Sequence, residues 1–135
     1  MTLQALREIG PECWEVEQLI VLDWYDGPRS GVCRMRSPRV DLLFEVADER
    51  ATPDDLDDRL FRLALLPRTA FDNLRDATAT AAVDREPEQA VIERAKQEAV
   101  PTTLIVYTRD FKTLLGCWDV GSVRDVANWF DFLGI

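Results

Sequence analysis

The chain has 135 residues, of which 47% are hydrophobic and 30% are charged, which is the composition of one globular domain spanning residues 1–135. Its formal net charge of −9 disfavours a general role in coating DNA or RNA, because such binding depends on Lys and Arg neutralising phosphates. The sequence contains no histidine, which excludes Ser-His-Asp and Cys-His catalytic arrangements and histidine-based zinc or iron sites.

The first ten residues, MTLQALREIG, lack a basic segment followed by an apolar one, and no apolar run has the length of a membrane span. These features predict a soluble, cytoplasmic protein with no membrane partner. Cys13, Cys33 and Cys117 are odd in number and widely spaced, which favours reduced, mostly buried thiols over a disulfide framework or a metal site. The chain has no glycine-rich phosphate loop, and we expect no cofactor.

Residues 15–25 alternate between two faces, one of them apolar except for Gln18, which predicts a first β-strand. Residues 26–29, Asp-Gly-Pro-Arg, have turn chemistry because glycine accepts a positive φ and proline fixes φ. A hairpin with this turn and a second strand would place Leu22 opposite Cys33 and collect the apolar side chains on one face.

A second turn near Pro38 leads into a third strand through Val46, so that the first three strands form a meander. In this register Arg34 lies opposite Asp41 on the other face of the sheet, which predicts an ion pair. This other face is too apolar to be left in water, and we expect a helix, a loop or a second subunit to cover it. Its apolar residues are Leu19, Val21, Val32 and Leu43.

Two interpretations remain open for the segment before Pro67. Thr52 and Pro53 have the chemistry of a helix N-cap and a first helical position, and aspartates follow in the first turn. Residues 59–66 also have the apolar character of a buried fourth strand, and we favour this strand. The acidic run DDLDD at residues 54–58 lacks the spacing and the glycine of a calcium-binding loop and is expected to be solvated charge.

The second half of the chain alternates between helix and strand signals. Helices are predicted near residues 68–78, 86–99 and 122–133, the last with Ser122 as N-cap, and a strand or hairpin is predicted from Thr102 to Val120. Together the elements predict an α+β domain: an antiparallel meander of three or four strands plus the later strand or hairpin, with about three helices packed on the sheet.

Arg29, Arg34, Arg36 and Arg39 concentrate positive charge in an acidic chain. The structural interpretation is pairing with carboxylates on neighbouring strands, and the functional one is a clamp for a carboxylate or phosphate. Arg36 and Arg39 would face each other without an obvious carboxylate, so they are the first candidates for an interaction site, followed by Arg29. Trp14, next to a Gly-Pro pair, is the best candidate for an exposed aromatic anchor.

The stretch DWYDGPRSG, followed by a short strand and LLFEVAD, resembles a group of small bacterial proteins of uncharacterised role. These proteins begin with a strand, a YDGP-x-SG hairpin and an acidic segment that leads into another strand. The resemblance covers roughly the first half of the chain and implies a strand at residues 59–66. It implies no activity.

The charge favours a non-catalytic protein-interaction module of inhibitor, immunity or regulatory type, whose acidic surface captures a basic protein partner. No nucleic-acid partner is expected. One alternative is a small-ligand binder or an enzyme that uses arginines and carboxylates in a pocket, and another is an obligate homo-oligomer associating through the second sheet face. The pocket candidates are Arg36, Arg39, Asp23 and Glu45.

Overall fold

The computed structural model describes residues 6–8, 11–25, 27–37, 39–53, 57–80 and 89–135. Over these ranges the chain forms a six-stranded sheet in which each strand is antiparallel to the next one in sequence. The strands are β1 (Glu15–Trp24), β2 (Pro28–Ser37), β3 (Val40–Arg50), β4 (Asp58–Leu66), β5 (Val100–Tyr107) and β6 (Gly116–Asp119). The helices with described bounds are α1 (Arg68–Thr80), α2 (Gln89–Glu98) and α3 (Trp129–Leu133), and a short 3-10 turn covers Pro11–Cys13.

The predicted α+β fold with an antiparallel meander is confirmed, and the sheet is larger than expected. Residues 59–66 lie in β4, which confirms the strand interpretation, and Thr52 lies in no helix. The predicted later hairpin is β5 and β6, and it joins the same sheet because β5 pairs with β4. The helix predicted at residues 68–78 is α1, and α2 confirms the later part of the helix predicted at 86–99, whose first residues lie outside the described ranges.

The last helix is shorter than predicted. It begins at Trp129 with Asn128 as N-cap, so the predicted start at Ser122 is wrong. The Asn128 side chain accepts a hydrogen bond from the Asp131 backbone N–H, and the Asp48 carboxylate of β3 accepts one from the Trp129 N–H at 2.6 Å. Because these two acceptors satisfy the free N–H groups of the first turn, they fix where the helix begins.

The predicted register between β1 and β2 is wrong by three residues. Leu19, and not Leu22, lies opposite Cys33, because β2 begins at Pro28, directly after Gly27 at φ +136°. An odd shift moves side chains to the opposite face, so Leu19 packs with the first-face core and Ile20 with the helix face. The pairing also shifts at four points along the ten residues of β1. By contrast, the predicted pairing of β2 with β3, with Arg34 opposite Asp41, is confirmed.

The first face of the sheet carries an aromatic core of Phe44, Phe61 and Phe111. The Phe111 ring centroid lies 4.2 Å from that of Phe44 and 4.9 Å from that of Phe61, and all three side chains are essentially inaccessible to solvent. Phe111 belongs to the connection between β5 and β6 and has φ +60°. The Trp14 indole N–H donates a hydrogen bond to the Phe111 carbonyl oxygen at 3.4 Å. Backbone strain at Phe111 is therefore offset by aromatic packing and by this contact.

The second face is covered by helices of the same chain, as one of the sequence-based alternatives predicted. Val32 and Leu43 are buried beneath α1 and α2, so the second-subunit alternative is not needed to cover them. At the other end of the sheet, Trp129 and Phe130 of α3 pack on Leu60. The two helical covers leave part of the sheet open between them, and this opening is the cleft described below.

Arg34 forms the predicted ion pair with Asp41, and the pair is buried. The guanidinium donates to both Asp41 carboxylate oxygens at 2.8 and 2.9 Å, donates to Asp72 of α1 at 2.9 Å, and stacks on the Phe71 ring at 4.3 Å. The hydrogen bonds to Asp41 raise the pKa of Arg34, despite the opposing effect of burial. The network therefore attaches α1 to the meander through charge as well as apolar contact.

Candidate anion-binding cleft

Besides Arg34, two of the arginines singled out in the sequence have local carboxylate partners. Arg29 binds Glu49 at 2.7 Å, and Arg36 binds Glu15 at 2.7 Å on the surface. Arg39 is exposed and forms no ion pair within the described ranges. The structural interpretation therefore holds for Arg29, Arg34 and Arg36.

Two further expectations about these residues are wrong. Trp14 is 5% exposed and belongs to the first-face core, so it is not an exposed aromatic anchor. Asp23 and Glu45 lie level with the start of β2, where both face Ser30, whereas Arg36 lies near the other end of that strand. These residues therefore do not form one pocket.

The structure instead brings together three cations that the sequence did not link. A cleft of about 260 Å³ opens on the helix side of the sheet and is lined by Arg62 of β4, Lys96 of α2 and Arg124 of the segment before α3. We call it the cation cleft. Glu45 of β3 contributes one carboxylate, and the rest of the lining is mainly apolar: Leu43, Leu63, Ala64, Ala99 and Pro101, with Thr102.

Arg62 is held in the cleft by contacts with uncharged groups, and it forms no ion pair with the residues that the structure describes. Its guanidinium stacks on the Trp129 ring at 4.9 Å and donates to the Arg124 carbonyl oxygen at 3.5 Å. Burial and the positive charge of Arg124 lower the pKa of Arg62 from its ordinary value, although an arginine remains charged at neutral pH. The folded protein therefore holds two like charges close together, and an anion bound between them would relieve this repulsion.

No carboxylate of the described ranges lies within ion-pair distance of Arg62, Lys96 or Arg124. Glu45 is the cross-strand neighbour of Arg62 but forms no ion pair with it within 4.0 Å. This is unexpected in a chain with a net charge of −9, where acidic side chains outnumber basic ones. The cation cleft is thus a local region of net positive charge on an acidic protein, and its cations form no ion pair with the described carboxylates.

A backbone irregularity shapes one wall of the cation cleft. Arg62 faces Ile105 whereas Ala64 faces Pro101, so β5 carries two extra residues at this point. The Thr102 hydroxyl donates a hydrogen bond to the Leu63 carbonyl oxygen at 2.7 Å. This bond satisfies a backbone acceptor at the point where the regular pairing of β4 with β5 is interrupted. Such bulges bend a strand and are common beside binding sites.

The side chains of the cation cleft suit anion binding, and Glu45 and Lys96 are also of the types that act in general acid–base catalysis. Arginine and lysine donate charge-assisted hydrogen bonds to carboxylates and phosphates, and arginine does so through two parallel N–H groups. The lining contains no cysteine, histidine or tyrosine, and no cluster of three metal-ligating side chains occurs within the described ranges. Among the sequence features, only Arg62, a charge between Phe61 and Leu63 in a buried strand, could have drawn attention to this site.

A second charged cluster is structural. Asp58, predicted as solvated charge, is 3% exposed and accepts hydrogen bonds from Arg109 at 2.6 Å and from Arg50 at 3.1 Å. Burial opposes its ionisation, but the hydrogen bonds, led by that from Arg109, lower the pKa of Asp58 overall. The prediction is therefore wrong for Asp58, and the first residues of the acidic run, Asp54 and Asp55, lie outside the described ranges.

The three cysteines are free thiols in different surroundings. Cys33 is buried, and burial raises its pKa to about 12, so its thiol stays protonated. Burial also raises the pKa of Cys117, which is half-buried, whereas Cys13 is exposed. The expectation of mostly buried thiols holds for Cys33 and in part for Cys117.

None of the helices in the described part of the chain is long and apolar enough to cross a membrane. Comparisons of the chain with protein-family models, with curated proteins and with solved structures found no match.

Proposed function

We propose that this is a non-catalytic, cytoplasmic binding protein whose cation cleft takes an anionic ligand with carboxylate or phosphate groups. The observation that carries the proposal is the convergence of Arg62, Lys96 and Arg124 on one cleft without a carboxylate partner in the described ranges. Arg62 is half-buried, and its guanidinium binds an anion more strongly than a surface one does, because less water screens the charges, whereas Arg124 and Lys96 are exposed. The long-range acidity of the protein weakens anion capture, so specificity depends on the cleft itself.

Glu45 adds a restriction on the ligand. It places one negative charge beside three positive ones, so a ligand that is anionic over its whole surface would meet repulsion at this carboxylate. A ligand with an N–H or O–H donor next to its anionic groups would satisfy Glu45 and the cations together. We therefore propose a compact ligand with both acidic and donor groups, in contact with the apolar walls.

Replacing Lys96 or Arg124 with glutamine is expected to weaken anion binding about tenfold each, since one charge-assisted hydrogen bond is removed. Citrate and inorganic phosphate are titrated into the full chain, with binding followed by calorimetry and by the rise in Tm. Binding of the parent protein is expected to weaken as NaCl is raised.

The matched control is Arg94→Gln, which also removes one positive charge from an exposed side chain of α2, but from one that pairs with Glu98 and does not line the cation cleft. It is expected to leave the affinity within about twofold of the parent value, because exposed pairs contribute little. The proposed site would be contradicted if neither citrate nor phosphate bound saturably. It would also be contradicted if Arg94→Gln and Lys96→Gln lowered the affinity equally.

A second candidate function is the protein-interaction module of inhibitor or immunity type, with a basic protein partner. The observation in its favour is the hairpin between β1 and β2, where Trp24 and Tyr25 are 66% and 65% exposed. Exposed aromatic side chains are the usual anchors of protein interfaces, and neighbouring Asp23 together with the net charge of −9 suits a basic surface.

This candidate is tested by affinity capture with the parent chain and with a Trp24→Ser/Tyr25→Ser variant. The supporting result is one stoichiometric partner of basic isoelectric point that is released by salt and is lost in the variant. Equal recovery of that partner by both proteins would exclude the hairpin as the interface.

A further inference from the structure

We infer that the cation cleft binds a free acidic α-amino acid, aspartate or glutamate, through its two carboxylates and its ammonium group. This inference rests on the proposed function and names the class of its ligand. It is carried by the arrangement of one carboxylate and three cations beside an apolar wall, in a cleft of about 260 Å³. Pockets that take drug-sized ligands have volumes of about 300 to 1,000 Å³, so this cleft suits a small metabolite.

Two opposite charges of the cleft are neighbours across the sheet. Glu45 of β3 is paired with Arg62 of β4, and both residues line the cleft. The Cβ atoms of such directly opposed residues lie about 4.5 to 5.5 Å apart. An α-amino acid carries the complementary pair of charges, because its ammonium nitrogen and its carboxylate carbon are bonded to one carbon atom and lie about 2.5 Å apart. The ammonium group therefore suits Glu45, and the α-carboxylate suits Arg62.

The remaining cations of the cleft indicate a second carboxylate on the ligand. Arg124 lies beside Arg62, whose guanidinium donates to the Arg124 carbonyl oxygen at 3.5 Å, so one α-carboxylate can bind both arginines. Lys96 lines the cleft from α2 and is then left for another anionic group. A ligand with two carboxylates and one ammonium group balances these charges more closely than a neutral amino acid does. The side-chain carboxylate of the ligand is therefore assigned to Lys96.

An apolar row lies next to the pair of Glu45 and Arg62. It consists of Leu43, Ala64 and Pro101, which are paired across β3, β4 and β5 and all line the cleft. The row is two residues along β4 from Arg62, a distance of about 7 Å. Methylene groups of an acidic side chain pack on such a wall at no cost, whereas the hydroxyls of a sugar phosphate would lose hydrogen bonds with water there.

The acidity of the whole protein favours a ligand with a small net charge. The chain has a net charge of −9, and its long-range repulsion of a ligand grows with the negative charge of that ligand. An acidic amino acid, with its ammonium group, is repelled less than a tricarboxylate or a nucleotide. Nucleotide bases also stack on aromatic side chains, and none of the described residues that line the cleft is aromatic.

The experiment compares each amino acid with the dicarboxylic acid that lacks its ammonium group. L-Aspartate, L-glutamate, succinate and glutarate are titrated by calorimetry into the full chain and into Glu45→Gln. With the parent protein, we expect the amino acid to bind at least about tenfold more tightly than its dicarboxylic counterpart, since one charge-assisted hydrogen bond is added. Glu45→Gln is expected to remove this preference, because a neutral amide neither attracts the ammonium group nor repels the dicarboxylate.

The matched control is Glu17→Gln, which removes the same charge from an exposed glutamate of β1 that does not line the cleft. It is expected to leave all four affinities within about twofold of the parent values. Glu45 is also exposed, and the Tm of each variant without ligand shows whether the fold is retained. The comparison of ligands on the parent protein needs no variant and tests the inference by itself.

The outcomes separate this inference from the proposed function. If the amino acids bind no more tightly than succinate and glutarate, or if Glu45→Gln keeps the preference, the amino acid is overturned and the anion-binding cleft stays in place. Absence of binding by all four ligands and by citrate and phosphate would overturn both proposals. Tighter binding of the dipeptide Glu-Gly than of glutamate would overturn the free amino acid in favour of a peptide N-terminus, because a peptide bond replaces the α-carboxylate of its glutamate.

Discussion

Replacing Asp41 with alanine is expected to lower the free energy of unfolding by about 3 to 5 kcal/mol, which is the range found when one partner of a buried ion pair is removed. The Asp41 side chain is 3% exposed and that of Arg34 is 10% exposed, so water cannot replace the lost carboxylate. The remaining partner of Arg34, Asp72, is more exposed and contacts one guanidinium nitrogen. Urea denaturation of the parent and the variant, followed by circular dichroism, measures the difference.

The control for this prediction removes both charges. Arg34→Met combined with Asp41→Leu is expected to recover most of the lost stability, because apolar side chains of similar size often replace a buried ion pair at little cost. A double variant as unstable as Asp41→Ala would show that the loss comes from packing around β2 and β3. The unpaired positive charge of Arg34 would then not be the cause of the lost stability.

Replacing Phe44 with alanine is also expected to lower the free energy of unfolding by about 3 to 5 kcal/mol, through lost burial and the cavity left behind. Phe44 is 0% exposed, and its ring centroid lies 4.2 Å from that of Phe111 and 5.5 Å from that of Phe61. The substitution therefore also removes a packing contact of Phe111, and this packing stabilises the strained backbone of that residue. The same urea titration gives the result, and the slope of the titration shows whether the unfolding remains two-state.

Phe132→Ala is the matched control for Phe44→Ala, since it removes the same atoms from a side chain that is 55% exposed. It is expected to lower the free energy of unfolding by about 1 kcal/mol or less, mainly through loss of the edge-to-face contact with Trp129. Similar losses in the two variants would contradict the assignment of Phe44 to the centre of the core.

The fold was predictable where local chemistry decides the structure. The turn chemistry of the Ser-Pro pair in the sequence and the alternation on both sides of it predict the register of β2 against β3, and the Arg34–Asp41 pair follows from that register. The register of β1 was less predictable, because its pairing with β2 shifts at four points and its end also meets a distant residue, the Arg59 guanidinium of β4, which donates to the Tyr25 carbonyl oxygen. The start of α3 depends in the same way on a carboxylate supplied by Asp48 of β3.

The candidate site was less predictable than the fold. Arg62, Lys96 and Arg124 come from a strand, a helix and a loop in separate parts of the chain, and no spacing rule connects them. Sequence reasoning instead selected Arg36, Arg39 and Arg29, which are close in sequence, and two of them, Arg36 and Arg29, have carboxylate partners across neighbouring strands. A cluster of charges along the chain is thus a poor guide to charges that lack partners in the folded protein.

The irregular pairing of β1 has a consequence for the behaviour of concentrated solutions. β1 is the first strand of the sheet and pairs with β2, and its register shifts leave only residues 18–21 in regular succession. A strand arriving from another molecule needs a longer regular row of N–H and C=O groups to add to a sheet, and bulges at an edge remove that row. The register shifts that make the pairing of β1 hard to predict from the sequence therefore also protect the protein against edge-to-edge aggregation.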